Sequence, residues 1–355
     1  MWGLINKTGF AVERAWTRDR NGAEVWLVAV KGTYRIRDDG STELAEQQLD
    51  VCKAPRFNGK PGESSLRYDS DFPLTKRGTD VLLHGHAYAP RGTAATTVLA
   101  GIKVADLTKV VRVFGDRTWE WRTFLGTRLG EPQPFTKMPL TYERAYGGWD
   151  RHAEDPRRHA VERRNPVGVG FAVAEEYLAG AAVPNVEDPR RLISSWTDRP
   201  PPAGFGPIAS HWSPRVELAG TYDERWEKSR SPLVAVDFDD RFYQCAPTDQ
   251  QTQTPLRGGE WVELSNLTPS GEMRFQLPKV RLGLRTRFAK SGLVEHRATL
   301  HSVIIEPDES RVMLVWHAAL PCHKDVLSLQ HTVIYEKKWL DKSSAVNGVA
   351  FAEER

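Results

Sequence analysis

The feature that most constrains this chain is the distribution of its β-rich runs, which lie near both ends and are missing from the middle. Residues 24–36 read EVWLVAVKGTYRI, rich in β-branched and aromatic residues, and the turn DDG follows at 38–40. Similar short runs at 81–88, 96–104 and 109–114 are spaced as in an antiparallel meander. The sequence therefore predicts a mainly β protein with antiparallel, sandwich-like sheets.

The β pattern resumes in the last third of the chain, at residues 260–264, 273–277, 279–288, 293–305 and 311–320. The last two runs are separated by EPDES, which predicts a hairpin with a five-residue loop. We expect three segments: a β-rich N-terminal domain over residues 1–127, a central region over 128–258 and a β-rich C-terminal domain over 259–355.

The central region has no clear periodicity and is dominated by Pro, Gly and Arg, as in NPVGVG at 165–170 and PPPAGFGP at 200–207. Large aromatic residues are nevertheless scattered through it: Tyr142, Tyr146, Trp149, Phe171, Trp196, Phe205, Trp212, Trp226 and Phe238. Because exposing these rings to water would be costly, we expect long, ordered, irregular structure packed on the sheets. Short helices are predicted over residues 173–178 and after Thr221, where TYDE has capping-box spacing.

Charge, cysteine content and hydropathy exclude several classes of protein. The 49 Lys and Arg residues against 46 Asp and Glu leave a net charge of +3, a smaller excess than dedicated nucleic-acid binders carry. Cys52, Cys245 and Cys322 are far apart and form no CxxC motif, so neither a disulfide framework nor a cysteine zinc site is encoded. The longest apolar run, residues 25–30, is too short to span a bilayer. We expect a cytoplasmic protein with neither a membrane nor a nucleic acid as its partner.

Two clusters are candidates for chemistry. His84 and His86 alternate on a predicted strand and would share one face, which can begin a metal site. Two ligands do not complete such a site, and spacing assigns no third ligand among His301, His317 and His323. Asp237, Asp239 and Asp240 could supply the acid and nucleophile of glycoside cleavage, although clustered aspartates more often form turns or pair with arginine.

Other catalytic signatures are missing from the sequence. It contains no Gly-x-Ser-x-Gly elbow and no Gly-x-x-x-x-Gly-Lys phosphate loop. We therefore predict a protein that is not an enzyme, with no catalytic residues, no cofactor and no metal ion.

The sharpest surface feature is the run KVRLGLRTRF at residues 279–288, in which apolar and basic positions alternate. On a strand, the even positions would be buried and one face would carry four cations: Lys279, Arg281, Arg285 and Arg287. These four residues, named the basic face below, are either a solvated surface that discourages edge pairing or a docking surface for an acidic protein partner. Nucleic acid is less favoured, because no aromatic residues interleave the cations.

Eight blocks, taken together in their order along the chain, resemble a known family. They are FGDRTW (114–119), PLTYERAYGG (139–148), NPVGVGF (165–171), GFGP (204–207), WSPR (212–215), AGTYDERW (219–226), DFDDRF (237–242) and APTDQ (246–250). In this order the blocks resemble a bacterial domain-of-unknown-function family encoded in type VI secretion clusters, beside VgrG, PAAR and toxin genes. The resemblance covers roughly residues 20–320.

The resemblance implies a non-catalytic accessory adaptor or chaperone, which binds a toxin effector, a PAAR tip protein, or both, and helps to load them on the VgrG spike. It implies no cofactor and no catalytic residue. Two alternatives stay open: a carbohydrate-active β-sandwich enzyme that uses Asp237, Asp239 and Asp240, and a nucleic-acid binder that uses the basic strand at 279–287.

Overall fold

A computed structural model describes residues 2–122, 126–322 and 326–337. The first strands are β1 (Gly3–Asn6), β2 (Ala11–Arg18), β3 (Glu24–Ile36), β4 (Thr42–Leu44), β5 (Arg56–Phe57), β6 (Leu66–Tyr68), β7 (Asp80–Leu83), β8 (His86–Tyr88), β9 (Thr97–Val104) and β10 (Leu107–Phe114). Short strands follow: β11 (Trp119–Arg122), β12 (Gly126–Leu129), β13 (Lys137–Pro139), β14 (Tyr146–Gly147), β15 (Trp149–Asp150), β16 (Ala160–Val161), β17 (Val169–Gly170) and β18 (Val186–Glu187). The last strands are β19 (Trp261–Ser265), β20 (Glu272–Gln276), β21 (Leu282–Phe288), β22 (Gly292–Arg297), β23 (Thr299–Glu306), β24 (Arg311–Pro321) and β25 (Leu329–Glu336).

Helical structure in the described residues is sparse. It consists of the α-helix α1 (Glu224–Ser229) and of short 3-10 turns: Pro90–Gly92, Tyr142–Arg144, Pro156–Arg158, Glu175–Tyr177, Val216–Ala219, Asp240–Tyr243, Thr248–Gln250, Pro307–Glu309 and Val326–Ser328. None of these helices has the length and apolar character of a membrane span. The prediction of a mainly β protein is confirmed.

The largest sheet has six strands in the order β2-β3-β24-β23-β7, with β4 paired to β3. It is covered on both faces. Leu314 of β24 lies in the main hydrophobic core, whereas the next residue, Val315, packs in a smaller cluster with Cys245 and Ala246. Burial on both faces explains why residues 25–30 are continuously apolar and lack the period-two alternation of a half-buried strand.

Two further sheets share the main core with this one. One has five strands in the order β18-β10-β9-β19-β20, and the other has four in the order β1-β25-β21-β22. The core joins Val28 of β3, Ile102 of β9 and Leu284 of β21, each of which is almost fully buried. The three sheets therefore depend on one another for burial.

Each large sheet contains strands from both β-rich ends of the chain. β3 pairs with β24, β9 with β19, and β1 with β25. The predicted boundaries at residues 127 and 258 therefore divide the chain into three segments, but each large sheet contains strands from more than one of these segments.

The local pairings agree with the sequence only where the partners are neighbours along the chain. β9 and β10 form the expected hairpin, and so do β23 and β24, but Glu306 belongs to β23 and pairs with Arg311, so the loop is residues 307–310 and is one residue shorter than predicted. The predicted meander is wrong for residues 81–88. They split into β7, which runs parallel to β23, and β8, which pairs with β13. A partner some 220 residues away leaves no trace in a local pattern.

The central region is ordered and irregular, as predicted, and has small cores of its own. Tyr146 and Leu178 belong to one of them, which Trp119 of the preceding segment completes, and Tyr142 and Trp212 belong to another. Such buried rings hold irregular backbone in place without long strands.

The two predicted helices of the central region are only partly present. The predicted helix at 173–178 is a single 3-10 turn, Glu175–Tyr177. The helix α1 begins as expected after Thr221, but its N-cap is Asp223, whose side chain accepts from the backbone N–H of Trp226. Thr221 instead donates to Asp237.

Candidate partner-binding surface

The basic face lies on and just before β21, near the free edge of the four-stranded sheet. Leu282, Leu284 and Phe288 are buried in the main core, whereas Arg285 and Arg287 are exposed. Lys279 and Arg281 are also exposed but precede the strand. The predicted alternation of buried and exposed side chains is therefore confirmed, and the role of the four cations in partner binding stays a prediction.

Arg285 contacts two neighbouring side chains on the outer face of the sheet. Arg287 lies on the same face. The Nε atom of Arg285 lies 2.7 Å from Oε1 of Glu295 on β22, and its guanidinium carbon lies 5.0 Å from the ring centroid of Tyr335 on β25. Side-chain hydrogen bonding to Glu295 raises the pKa of Arg285 further above its usual range. Half-exposed pairs of this kind add little stability, but they fix the direction of a side chain.

A groove opens at the end of this sheet, where the chain crosses from β22 to β23. Its volume is about 640 Å³, within the range of about 300 to 1,000 Å³ that is typical of ligand sites. The apolar part of its lining is contributed by Leu256, Val280, Leu282, Ala298, Leu300 and Trp316. Several of these side chains belong to the main core, so the groove has a rigid floor.

The charged part of the lining is entirely basic. Four cations contribute to it: Arg257, Arg281, Arg297 and Lys337. Within the described residues, no aspartate or glutamate lines the groove, and no carboxylate lies within ion-pair distance of Arg257, Arg297 or Lys337. A cleft lined by one sign of charge focuses the field and concentrates ions of the opposite sign.

Sequence reasoning found only Arg281 of these four cations. The others come from three separate segments that the fold brings together: a loop before β19, the last residue of β22 and the residue after β25. No spacing in the sequence points to this set, although the basic strand marks its edge.

The strand β22 forms one edge of the four-stranded sheet. It pairs with β21 from Gly283↔Arg297 to Phe288↔Gly292, and among the described residues no other strand lies beside it. Arg297 ends this strand and also lines the groove. The groove and an unpaired strand edge are thus continuous.

The two histidines of the predicted metal cluster do not share a strand. β7 ends at Leu83, so that His84 and His86 lie on either side of a break and not on one strand face as predicted. The His84 ring packs edge-on against Tyr68 at 5.3 Å, and burial lowers its pKa to about 4. His86 Nδ1 lies 2.6 Å from Oδ2 of Asp308.

Both histidines nevertheless line one smaller cavity, of about 260 Å³, together with Glu306 and Asp308. Glu306 is held by Arg67 and Arg311, and Asp308 accepts from the hydroxyl of Tyr88. Among the described residues, no serine, threonine or cysteine hydrogen-bonds to His86, so this part of the chain assembles no nucleophilic triad there.

A second pair of histidines is fully enclosed. The rings of His301 and His317 stack with their centroids 5.2 Å apart, and burial lowers the pKa of each to about 3. His323 lies outside the described residues. Within those residues, no group of three or more histidine, cysteine or acidic side chains is arranged to hold a metal ion.

The aspartate cluster consists of three carboxylates with three different partners. Asp237 accepts from the backbone N–H and the hydroxyl of Thr221. Asp239 pairs with Arg241, which lowers its pKa to about 2, and Asp240 lies 3.1 Å from Arg20. Glycoside cleavage requires two carboxylates that face one substrate, whereas these are held as turn-forming and ion-pairing groups.

A comparison of the sequence with known protein families gives a match over nearly the same part of the chain as the resemblance carried by the eight blocks. A family model described as an uncharacterized protein conserved in bacteria (DUF2169) matches residues 21–317. No curated protein and no solved structure matches the chain.

Proposed function

The chain belongs to the bacterial family DUF2169, and we propose that it is a non-catalytic adaptor or chaperone of type VI secretion. In this proposal it binds a toxin effector, a PAAR-type tip protein, or both, in the cytoplasm and helps to load them on the VgrG spike. The resemblance of the eight ordered blocks motivates the assignment to secretion.

One observation supports a binding role most strongly: three cations of the groove lining, Arg257, Arg297 and Lys337, have no carboxylate within ion-pair distance of their side chains among the described residues. Clustering cations around an apolar floor costs free energy through mutual repulsion and lost hydration. A partner that supplies carboxylates and apolar side chains offsets both costs. The groove also continues into the basic face through Arg281, which gives the partner an extended charged surface.

The architecture suits an adaptor. An adaptor holds a partner without transforming it, which requires a rigid complementary surface and no reacting groups. Here the apolar floor of the groove is built on side chains of a core that three sheets share, so this floor is already formed before the partner arrives. A preformed surface avoids part of the ordering cost of association.

The enzyme and nucleic-acid alternatives have less support. The three aspartates of the enzyme alternative each have a local structural partner. A nucleic-acid surface would add aromatic stacking platforms, whereas the ring of Tyr335 on this face is covered on one side by Arg285.

Deletion of the gene in the native host tests the proposal. We expect the toxin to accumulate at its normal level, measured by immunoblot, while killing of a sensitive neighbouring strain is lost. Expression of the wild-type protein should restore killing. A deletion strain that kills as well as its parent would refute the adaptor role.

A charge-reversal variant connects this test to the groove. Arg257→Glu combined with Arg297→Glu should fail to restore killing, because both side chains are exposed and line the groove. Arg14→Glu combined with Arg225→Glu is the matched control, since these exposed arginines lie outside it. Equal complementation by the two double variants would remove the groove from the proposal.

A further inference from the structure

We propose that the groove and the free edge of β22 together bind an acidic, extended peptide segment of the partner, which adds to the four-stranded sheet as a strand. The inference rests on the proposed function, since it names the chemistry of the segment by which an adaptor would hold its partner. The segment would place an apolar side chain in the groove and carboxylates beside the cations that line it.

Charge complementarity selects an acidic occupant. Arg257 and Arg297 are exposed and have no carboxylate within ion-pair distance among the described residues. Both are arginines, whose planar guanidinium groups bind carboxylates through two parallel hydrogen bonds. Half-buried Lys337 adds a third positive charge beside the same space.

The apolar floor selects an occupant that also carries a large apolar side chain. Leu256, Leu300 and Trp316 contribute to the lining, and each of them is nine-tenths or more buried in the folded chain. Space above such a floor is poorly suited to a fully hydrated anion. An acidic segment with one apolar side chain fits both parts of the lining.

The position of β22 selects an extended backbone. In an antiparallel pair, every second residue of an edge strand directs its N–H and C=O away from its partner. β22 therefore presents unpaired backbone groups along its outer side, and these groups lead to Arg297 at the groove. Strand addition satisfies such groups and fixes the register in which side chains meet pockets.

Selection from a phage-displayed library of random 12-residue peptides, with the purified full-length protein as the target, tests the inference. We expect the enriched peptides to share two or more acidic residues around a large apolar residue. Enriched peptides without an acidic excess, or no enrichment, would overturn the inference.

The best enriched peptide, made synthetically with a fluorophore, then provides the quantitative test. Its affinity should fall about tenfold or more in the Arg257→Glu and Arg297→Glu double variant and stay unchanged in the Arg14→Glu and Arg225→Glu control. Ala298→Trp, which fills the groove, should abolish binding. The double variant Arg257→Glu and Arg297→Glu changes two exposed arginines, so we expect it to fold normally. An unchanged melting temperature would verify this.

Backbone N-methylation tests strand addition separately. Two versions of the peptide are methylated at alternate residues, one at the odd and one at the even positions. One version should lose binding and the other should retain it, because only alternate N–H groups would meet β22. Equal affinities of the two versions would overturn strand addition, and so would a bound peptide that is helical by circular dichroism.

Other occupants give different results. Oleate that binds at one molecule per chain, together with a selection that enriches no acidic peptides, would identify a fatty-acid site and overturn the inference. A dimer that dissociates in the Ala298→Trp variant would identify a second copy of this chain. Co-purification of a PAAR protein or toxin with Ala298→Trp at the wild-type level would keep the proposed function and reject the groove, whereas peptide binding without any such partner would do the reverse.

Discussion

Tyr335 lies directly over Gly283 on the outer face of the four-stranded sheet. The two residues are opposite each other on β25 and β21, and a Cβ atom at residue 283 would lie 2.6 Å from Cζ of the tyrosine ring. Glycine at this position lets the ring cross the strand and carry the guanidinium of Arg285. The ring of Tyr335 therefore supports Arg285, one of the four cations of the basic face.

Gly283→Val should destabilise the protein by about 1 to 3 kcal/mol, because the new side chain overlaps both the ring of Tyr335 and Cε of Lys337. The free energy of unfolding in urea measures the effect. Gly59→Ala is the control, since a Cβ there would meet Ser64 at an ordinary 3.4 Å. Tyr335→Ala should relieve part of the penalty at 283, because the overlap with Lys337 remains, and strict additivity of the two changes would contradict the contact with the ring.

The stacked histidines predict that acid weakens the fold. The pKa of His301 and of His317 is about 3 in the folded state, against an ordinary value of 6.5, because both rings are buried. Between these values the unfolded chain binds more protons than the folded one, so the free energy of unfolding falls as the pH is lowered. At pH 5 the loss is on the order of 2 kcal/mol for each histidine.

Urea denaturation between pH 7 and pH 5 measures this dependence. His301→Gln and His317→Gln should each make the pH dependence shallower, whatever they do to stability at pH 7. His211→Gln, at an exposed position, should leave the slope unchanged. The same slope in all four proteins would mean that the histidines are not held neutral by burial.

The purified protein should show no hydrolase activity and contain no stoichiometric metal ion. The reason is that we found no complete catalytic or ligand set in the sequence. Elemental analysis and assays on a panel of glycoside substrates check both statements. One zinc per chain would contradict the statement about metal, and a turnover that disappears in Asp237→Asn or Asp239→Asn would contradict the statement about hydrolase activity.

Reversal of Arg281, Arg285 and Arg287 to Glu should slow association with a purified PAAR or toxin partner and leave the fold intact. Charges at the rim of an interface act mainly on the encounter rate and are screened over about 8 Å at physiological salt. Stopped-flow association rates at low and high salt measure the effect. The exchange Arg285→Glu with Glu295→Arg, which keeps the ion pair and the net charge, is the control. A triple variant that melts normally and associates at the wild-type rate in low salt would show that the face is only solvated.

The parts of the fold that the sequence predicts are those governed by neighbouring residues. The alternation of buried and exposed positions around Leu284 and Arg285 follows from the period of a strand, and the hairpin after Glu306 follows from a short polar loop. The capping of α1 by Asp223 instead of Thr221 is a competition between two nearby acceptors that are separated by Tyr222, and spacing alone does not decide it.

The groove could not be predicted, because the residues that line it are far apart in the sequence and are brought together only by the folded chain. Arg257 and Lys337 are 80 residues apart in the chain and belong to no common motif. They meet only because β25 pairs with β21 and the segment before β19 lies against the crossing at Ala298. The same long-range pairing places β7 beside β23 and separates His84 from the strand on which it was expected.

The most direct test of the central claim is affinity purification of the tagged protein from its native host at endogenous expression, followed by quantitative mass spectrometry. The wild-type protein should bring down a PAAR protein, a toxin effector, or both, in near-stoichiometric amounts. The Arg257→Glu and Arg297→Glu double variant should lose them, and the Arg14→Glu and Arg225→Glu control should retain them. A wild-type sample free of spike components and effectors would contradict the account.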